Sequence, residues 1–301
     1  MIHLNGNKLA AELRKDLTKQ IDDWKQQGHT PPHLAIVLIG DNPASHTYVQ
    51  YKQQACADVG IQTTLRKYNE IKAADLRNII SELSNNNQIN GIIVQLPLPL
   101  HTNAHEIVRV IDPTKDVDGL HPYNYGNMAV NQPGHIPATP LGIRLLLAHY
   151  NISTQGKHCV IVGRSRIVGS PLSILLARDH AQGNATVTLC HSHTPNLEKI
   201  TRQADLLITA TGKPKLITAN GVKEGAVVID VGITRVPSPS RKDGYTLQGD
   251  VDFAQVAPRC SYITPVPGGV GPMTITALLL NTWRAAQQQV KRGTTVAEYS
   301  T

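Results

Sequence analysis

Apolar residues recur every three or four positions over Leu9, Leu13, Leu17, Ile21 and Trp24, which predicts an amphipathic helix ending at Gly28. The pattern then changes. Pro31-Pro32 leads into an unbroken apolar run, Leu34 to Ile39, with the composition of a buried strand. Asp41, Asn42 and Pro43 break it, and Ser45 is placed to cap a helix carrying Tyr48 in its first turn. Beyond Gly60, Ile61 to Tyr68 reads as a second strand, and Asp75 to Leu83 as a helix with Leu76, Ile79, Ile80 and Leu83 as its apolar residues. Gly91-Ile-Ile-Val-Gln95 is a third, buried strand, and Leu-Pro-Leu-Pro-Leu follows it at once.

The second half alternates more regularly. Pro140 to Tyr150 reads as a short helix leading into another unit. Strands are expected at His158–Val162, Thr186–Cys190, Leu206–Ala210, Val227–Val231 and Tyr262–Thr264, with an apolar helix containing Leu172, Leu175 and Leu176 after the first of them. This alternation predicts a parallel, doubly wound α/β sheet. A last apolar helix runs from Ile275 to Ala286, with Pro272 suited to its first turn.

With 301 residues the chain has room for two domains, and 41% apolar with 17% charged residues describes an ordinary globular protein. One Phe and two Trp make the core aliphatic. No apolar run reaches membrane-spanning length. Cys56, Cys159, Cys190 and Cys260 show no close spacing, which points to buried reduced thiols and a cytoplasmic location. The net charge of +7 invites a nucleic-acid reading, but Lys and Arg are scattered without a basic block or aromatic alternation, and that reading is set aside. A polyanionic small ligand fits the excess equally well.

Candidate chemistry sits at the strand ends. Tyr48 and Lys52, four residues apart, share one helix face directly after a strand, beside the crevice in which α/β proteins bind ligands. On spacing alone, a solvated lysine above a half-buried tyrosine is the stronger reading. Gln95 ends its strand at the same crevice, followed by a proline-stiffened exit. Asp112, Asp116 and Asp118 cluster in a turn-rich segment that lacks the alternate oxygen ligands of a hard-cation loop, so no metal is expected. Two readings stay open there: one carboxylate accepting hydrogen bonds in the crevice, or ordinary turn chemistry. In the second half, Gly163-Arg-Ser165-Arg-Ile-Val-Gly169 lies between strand and helix, the order that builds a phosphate site from backbone N–H groups. Its spacing is not Gly-x-Gly-x-x-Gly. NAD is usually held by an acid about 20 residues further on; here the next strand ends Cys190-His191-Ser192-His193. Arg164, Ser165, His191 and Ser192 offer donors to a ribose phosphate, which favours NADP.

Five segments in this order, Tyr48-Val-Gln-Tyr-Lys52, Val94-Gln-Leu-Pro-Leu-Pro99, Lys115-Asp-Val-Asp-Gly119, Gly163-Arg-Ser-Arg-Ile-Val-Gly169 and Thr264-Pro-Val-Pro-Gly-Gly-Val-Gly-Pro-Met-Thr274, resemble the bifunctional methylenetetrahydrofolate dehydrogenase/methenyltetrahydrofolate cyclohydrolase family. The resemblance extends from the first helix to about Gln289. It implies an N-terminal α/β catalytic domain of the amino-acid-dehydrogenase type (1–138, completed by a C-terminal helix over 272–301) and an NADP-binding Rossmann domain (139–271). The active site would lie in the interdomain cleft, and homodimers are usual. It further implies oxidation of methylene-tetrahydrofolate with NADP, then hydrolysis of the methenyl product to formyl-tetrahydrofolate.

By the same resemblance Lys52 serves the hydrolysis, held by Gln95. An ordinary lysine is protonated at neutral pH, so that role calls for desolvation and a cationic substrate nearby. Tyr48 stacks on the folate ring, Asp118 accepts from the pterin N–H donors, and Pro267, Gly268 and Gly271 line the folate cleft. Gly163, Arg164, Ser165, Ser192 and Ile233 fall on coenzyme-contact positions. The positive charge would attract folates with glutamate tails. One departure is visible: Pro137-Ala138-Thr139-Pro140 has alanine where many members have cysteine, and activity is expected to survive it. The short-chain dehydrogenases also use Tyr-x-x-x-Lys, but downstream of the glycine loop rather than upstream.

Overall fold

The computed structural model describes residues 1–99, 102–239 and 244–298. Leu100 and the last three residues of the expected C-terminal helix lie outside them. In chain order the strands are β1 (Ile2–His3), β2 (His33–Ile39), β3 (Gln62–Tyr68), β4 (Gly91–Val94), β5 (His158–Val162), β6 (Thr186–Cys190), β7 (Leu206–Thr209), β8 (Ala226–Asp230), β9 (Thr234–Pro237), β10 (Tyr245–Gln248) and β11 (Cys260–Ile263). The helices are α1 (Gly6–Gln26), α2 (Pro43–Val59), α3 (Ala73–Asn85), α4 (Ala104–Val108), α5 (Pro122–Ala129), α6 (Ala138–His149), α7 (Gly169–Ala177), α8 (Leu197–Thr201), α9 (Phe253–Val256) and α10 (Val270–Glu298). The chain divides into two compact units, Glu12–Ala138 with Ile275–Thr301, and Met1–Ala11 with Thr139–Thr274.

The unit built on Glu12–Ala138 centres on a three-stranded parallel sheet in the order β3-β2-β4. Apart from its first residue β2 is buried along its length, because it is the middle strand and both its faces are covered. Ala35, Val37 and Ile39 pack with Leu76, Ile80 and Leu83 of α3 and with Ile92, Val94, Ile107 and Ile111. Burial of each of these larger aliphatic side chains contributes about 1.5–3 kcal/mol. The later part of α10 packs on α1 in this unit. Trp283 meets Trp24 edge to face, and its indole N–H donates to Gln20 at 3.1 Å. The amide N–H of Asn281, fully buried, donates to Val117 O at 2.8 Å and Ile136 O at 2.9 Å.

The other unit holds a six-stranded sheet in the order β1-β11-β8-β7-β5-β6, and every pairing in it is parallel. Its core is aliphatic, with Val160, Val162, Leu207, Val228 and Ile263 among its members. By compactness the eleven N-terminal residues group with this unit, because β1 adds to the edge of the sheet through β11. An antiparallel ribbon of β9 and β10, absent from the sequence reading, leaves this unit between β8 and α9. All four cysteines are free and buried.

Candidate active site

The N-terminus of α2 is fixed by Asn42 and not by Ser45. Asn42 Oδ1 accepts from Ala44 N at 2.9 Å and Ser45 N at 3.2 Å, and Pro43 supplies a preset first helical residue. Ser45 is itself inside the helix, and Tyr48 falls in the second turn. The expected cap, Ser45, is displaced because proline at N1 makes the residue before it the cap. Lys52, one turn beyond Tyr48, is only 7% exposed. Its Nζ donates to Gln95 Oε1 at 2.9 Å. Gln95 is oriented in turn: its amide N–H donates to Leu96 O at 2.7 Å, and its backbone N–H donates to Val37 O at 2.9 Å, prolonging the β2–β4 ladder. The side-chain amide therefore presents its carbonyl to the lysine. Burial raises the Tyr48 phenol above its usual range and keeps it neutral. Burial also pushes the Cys56 thiol, one turn past Lys52, up to about 12, which removes it as a nucleophile.

The acidic segment sorts its three carboxylates by environment. Asp112 Oδ1 accepts from Thr114 N at 2.8 Å, which is turn chemistry. Asp116 is buried and accepts from His121 N at 2.7 Å and Asn124 Nδ2 at 2.9 Å; burial raises its pKa while those bonds oppose the rise. Lys115 anchors the segment by donating to Ser84 O at 2.6 Å and Asn86 O at 2.8 Å. A bridge between Ile92 and Asp116 ties it alongside β4. Asp118, two residues on, is half-buried. Lys52 and Gln95 are thus joined directly, whereas among the described residues no hydrogen bond or ion pair links Asp118 to Tyr48, Lys52 or Gln95. Among those residues no cluster of His, Cys, Asp and Glu is arranged to hold a metal ion.

In the six-stranded unit the loop after β5 is shaped by absent side chains. Gly163 adopts φ +116°, and a Cβ there would lie 2.3 Å from Ala210 O; a Cβ on Gly169 would lie 1.8 Å from Gly163 O. Only glycine lets α7 start against the strand end. Ser165 Oγ accepts from Val168 N at 3.2 Å, and Ser170 Oγ donates to Arg164 O at 3.0 Å. Arg164 and Ser165 are exposed. At the end of β6, His191 Nδ1 accepts from His193 N at 3.2 Å, and Ser192 is exposed beside it with no carboxylate. Ile233 follows β8 and is 45% exposed. All of these lie at carboxyl ends of parallel strands, where doubly wound sheets take their ligands. After β11, Pro267 and Gly268 lie in the loop into α10, and Gly271 is the second residue of that helix. Gly268 adopts φ +103° and its carbonyl accepts from Asn7 N at 3.1 Å. The absent Cβ of Gly6 would lie 1.7 Å from Gly269 O, so loop and α1 meet backbone to backbone.

Two family models cover most of the chain. Residues 4–118 match the catalytic domain of tetrahydrofolate dehydrogenase/cyclohydrolase, and residues 137–290 match its NAD(P)-binding domain. The chain belongs to this family. The bifunctional protein FolD of Amoebophilus asiaticus is 58% identical over 95% of this chain and 97% of its own length. That of Cytophaga hutchinsonii is 52% identical over 94% and 98%. Among solved structures, the bifunctional methylenetetrahydrofolate dehydrogenase/cyclohydrolase of Campylobacter jejuni superposes with a TM-score of 0.90 at 43% identity, covering 96% of this chain and 99% of that one. The Trypanosoma brucei enzyme, complexed with NADP and an inhibitor, gives 0.91 at 34% identity, covering 96% and 98%. The two-domain α/β family architecture expected from the five motifs is therefore the one observed.

Three residues that organise the loops around these elements carry no clear signal in the sequence. Asn42 was hidden by the competing Ser45. Asp230 and Asp250, both buried, were passed over although each is an acid adjoining an apolar strand or turn and one or two residues from a glycine.

Proposed function

We propose that the protein oxidises methylene-tetrahydrofolate to methenyl-tetrahydrofolate with NADP and hydrolyses that product to formyl-tetrahydrofolate. The relatives named above support both activities. The Glu12–Ala138 unit carries the folate chemistry in this reading, and the Thr139–Thr274 segment the coenzyme. NADP, when bound, supplies the hydride acceptor. The glycine cradle of Gly163 and Gly169, the donors Arg164, Ser165, His191 and Ser192, and the lack of an acid after β6 suit a dinucleotide with a phosphorylated ribose.

The observation that carries the hydrolytic half is the buried Lys52–Gln95 pair. Oxidation needs no base, because a nitrogen lone pair of the folate expels the hydride; Tyr48 and Asp118 serve to hold the ring system. Hydrolysis needs a water to lose a proton as it attacks the methenyl carbon. Lys52 Nζ takes that proton and passes it to the folate nitrogen whose bond to the methenyl carbon breaks, the remaining hydroxyl proton leaves to solvent as the formyl group forms, and the Gln95 carbonyl holds the amine in place. The net charge of +7 favours glutamate-tailed folates. The reading extends to a cytoplasmic homodimer, as the family resemblance implies.

The test is a two-wavelength assay of the protein and Lys52→Met with methylene-tetrahydrofolate and NADP. The unmutated protein should form NADPH without lasting methenyl absorbance. In the variant, methenyl hydrolysis should fall about 10²–10⁴-fold, so that the methenyl compound accumulates or turnover stalls. Methenyl accumulation by the unmutated protein would leave a dehydrogenase alone, and absence of any NADP reduction would end the proposal.

A further inference from the structure

Two carboxylates of the six-stranded unit are buried where no charge is needed for the core. Asp230, the last residue of β8, is 3% exposed, and Asp250, just after β10, is fully buried. Asp230 Oδ1 accepts from Gly232 N at 2.9 Å, Asp250 N at 3.0 Å and Thr209 Oγ1 at 3.3 Å; its Oδ2 accepts from Val251 N at 2.9 Å. One carboxylate thus binds both arms of the β9–β10 ribbon at their base. Asp250 Oδ2 accepts from Thr211 N, in the loop after β7, at 2.5 Å. Its Oδ1 is buried and has no hydrogen-bond partner among the described residues, an arrangement that costs stability and asks for an explanation.

The glycines supply it. A Cβ on Gly232 would lie 2.2 Å from Asp250 Oδ1, and a Cβ on Gly249 would lie 1.9 Å from Asp230 Oδ2. Each carboxylate occupies the space of the side chain that the glycine on the facing segment lacks. The two pairs interlock, and a methyl group at either glycine would expel an acid. What they hold are strand-end loops: Thr211 after β7, whose neighbour Ala210 backs the Gly163 turn, and Gly232-Ile233 after β8. Thr234 Oγ1, next to Ile233, closes the two loops on each other by donating to Gly212 O at 3.3 Å.

We propose that Asp230 and Asp250 are positioning residues of the dinucleotide site, their carboxylates interlocked with Gly249 and Gly232 so as to set the loops that receive the coenzyme. The inference rests on the NADP reading above. A shift of about 1 Å in such loops is enough to weaken both binding and hydride placement.

The experiment measures NADP binding by titration calorimetry, together with methenyl hydrolysis, in the unmutated protein, Asp250→Asn and Gly232→Ala. NADP should bind about ten-fold more weakly to Asp250→Asn and about a hundred-fold more weakly to Gly232→Ala, while hydrolysis, which uses no coenzyme, stays within about two-fold. Equal NADP affinity in all three proteins overturns the positioning role and leaves the dehydrogenase reading standing. Parallel loss of hydrolysis and binding in both variants also overturns it, because the acids would then serve the fold alone. Failure of the unmutated protein to bind NADP overturns the inference and the reading together.

Discussion

The two candidate sites are built on opposite principles. In the Glu12–Ala138 unit the working atoms belong to side chains: an amine 7% exposed, oriented by an amide that is itself fixed by the backbone. In the six-stranded unit the shape comes from side chains that are missing, at Gly163, Gly169, Gly232 and Gly249, and the polar groups at the rim, Arg164, Ser165 and Ser192, are exposed. The proposed role in proton transfer accounts for the first design. A group that must change protonation state works best where water is restricted and its orientation is fixed. The proposed recognition of a long polyanion accounts for the second, since phosphates are met by backbone N–H groups that only glycine lets come close.

The largest effect expected from this contrast comes from adding a side chain to the second site. Gly169→Val would drive its Cβ into the Gly163 carbonyl, 1.8 Å from the ideal position. NADP-dependent oxidation should fall more than about a hundred-fold, with hydrolysis of supplied methenyl-tetrahydrofolate retained. Initial rates of both reactions decide the matter, and full oxidation by the variant would remove the loop from the coenzyme site. A smaller effect comes from removing a side chain's partner in the first site. Gln95→Leu leaves the buried Lys52 amine without its acceptor, a loss of about 1–3 kcal/mol, or roughly 5–150-fold in hydrolysis. NADP affinity, measured by calorimetry, should not move. Equal hydrolysis by Gln95→Leu and the unmutated enzyme would mean that the hydrogen bond is incidental.

The same contrast governs what the sequence disclosed. Lys52 and Gln95 were legible because each ends or follows a recognisable apolar run, and Gly163 and Gly169 because glycine punctuates a strand–helix junction. The β9–β10 ribbon escaped because Thr234–Pro237 and Tyr245–Gln248 are four residues each, half-exposed and of mixed polarity, with no buried face to impose alternation. β1 escaped for a related reason: two residues carry no period, and only pairing with β11 makes them a strand. Asp116 and Asp118 look alike in sequence, yet burial assigns one to the loop's own hydrogen bonds and leaves the other half-exposed. Asp230 and Asp250 are twenty residues apart and meet only when the ribbon folds back, so neither local pattern nor spacing announces their interlock.

The smallest effect follows from the charge that this interlock buries. Burial pushes the Asp230 carboxyl up to about 6, with the nearby Asp250 charge adding to the rise and the N–H groups of Val251, Asp250 and Gly232 opposing it. In the unfolded chain the same group titrates near 3.9. The folded state therefore binds this proton more tightly, and the contribution to stability is fully present below about pH 4 and lost as pH rises through about 6. Between pH 7 and pH 5 the unmutated protein should gain about 1 kcal/mol relative to Asp230→Asn, a narrowing or widening of their melting temperatures by about 2–4 °C in that direction. His33, His135 and His180, whose pKa values burial lowers, weaken the fold over the same range, but they do so in both proteins and cancel in the difference. Asp205 has the opposite sign: Lys223 and the His158 N–H hold its carboxyl low, so its contribution is lost only at more acid pH. Thermal melts of the two proteins across this window make the comparison. A difference independent of pH would show that the Asp230 carboxylate stays charged throughout, its four hydrogen-bond donors outweighing its burial.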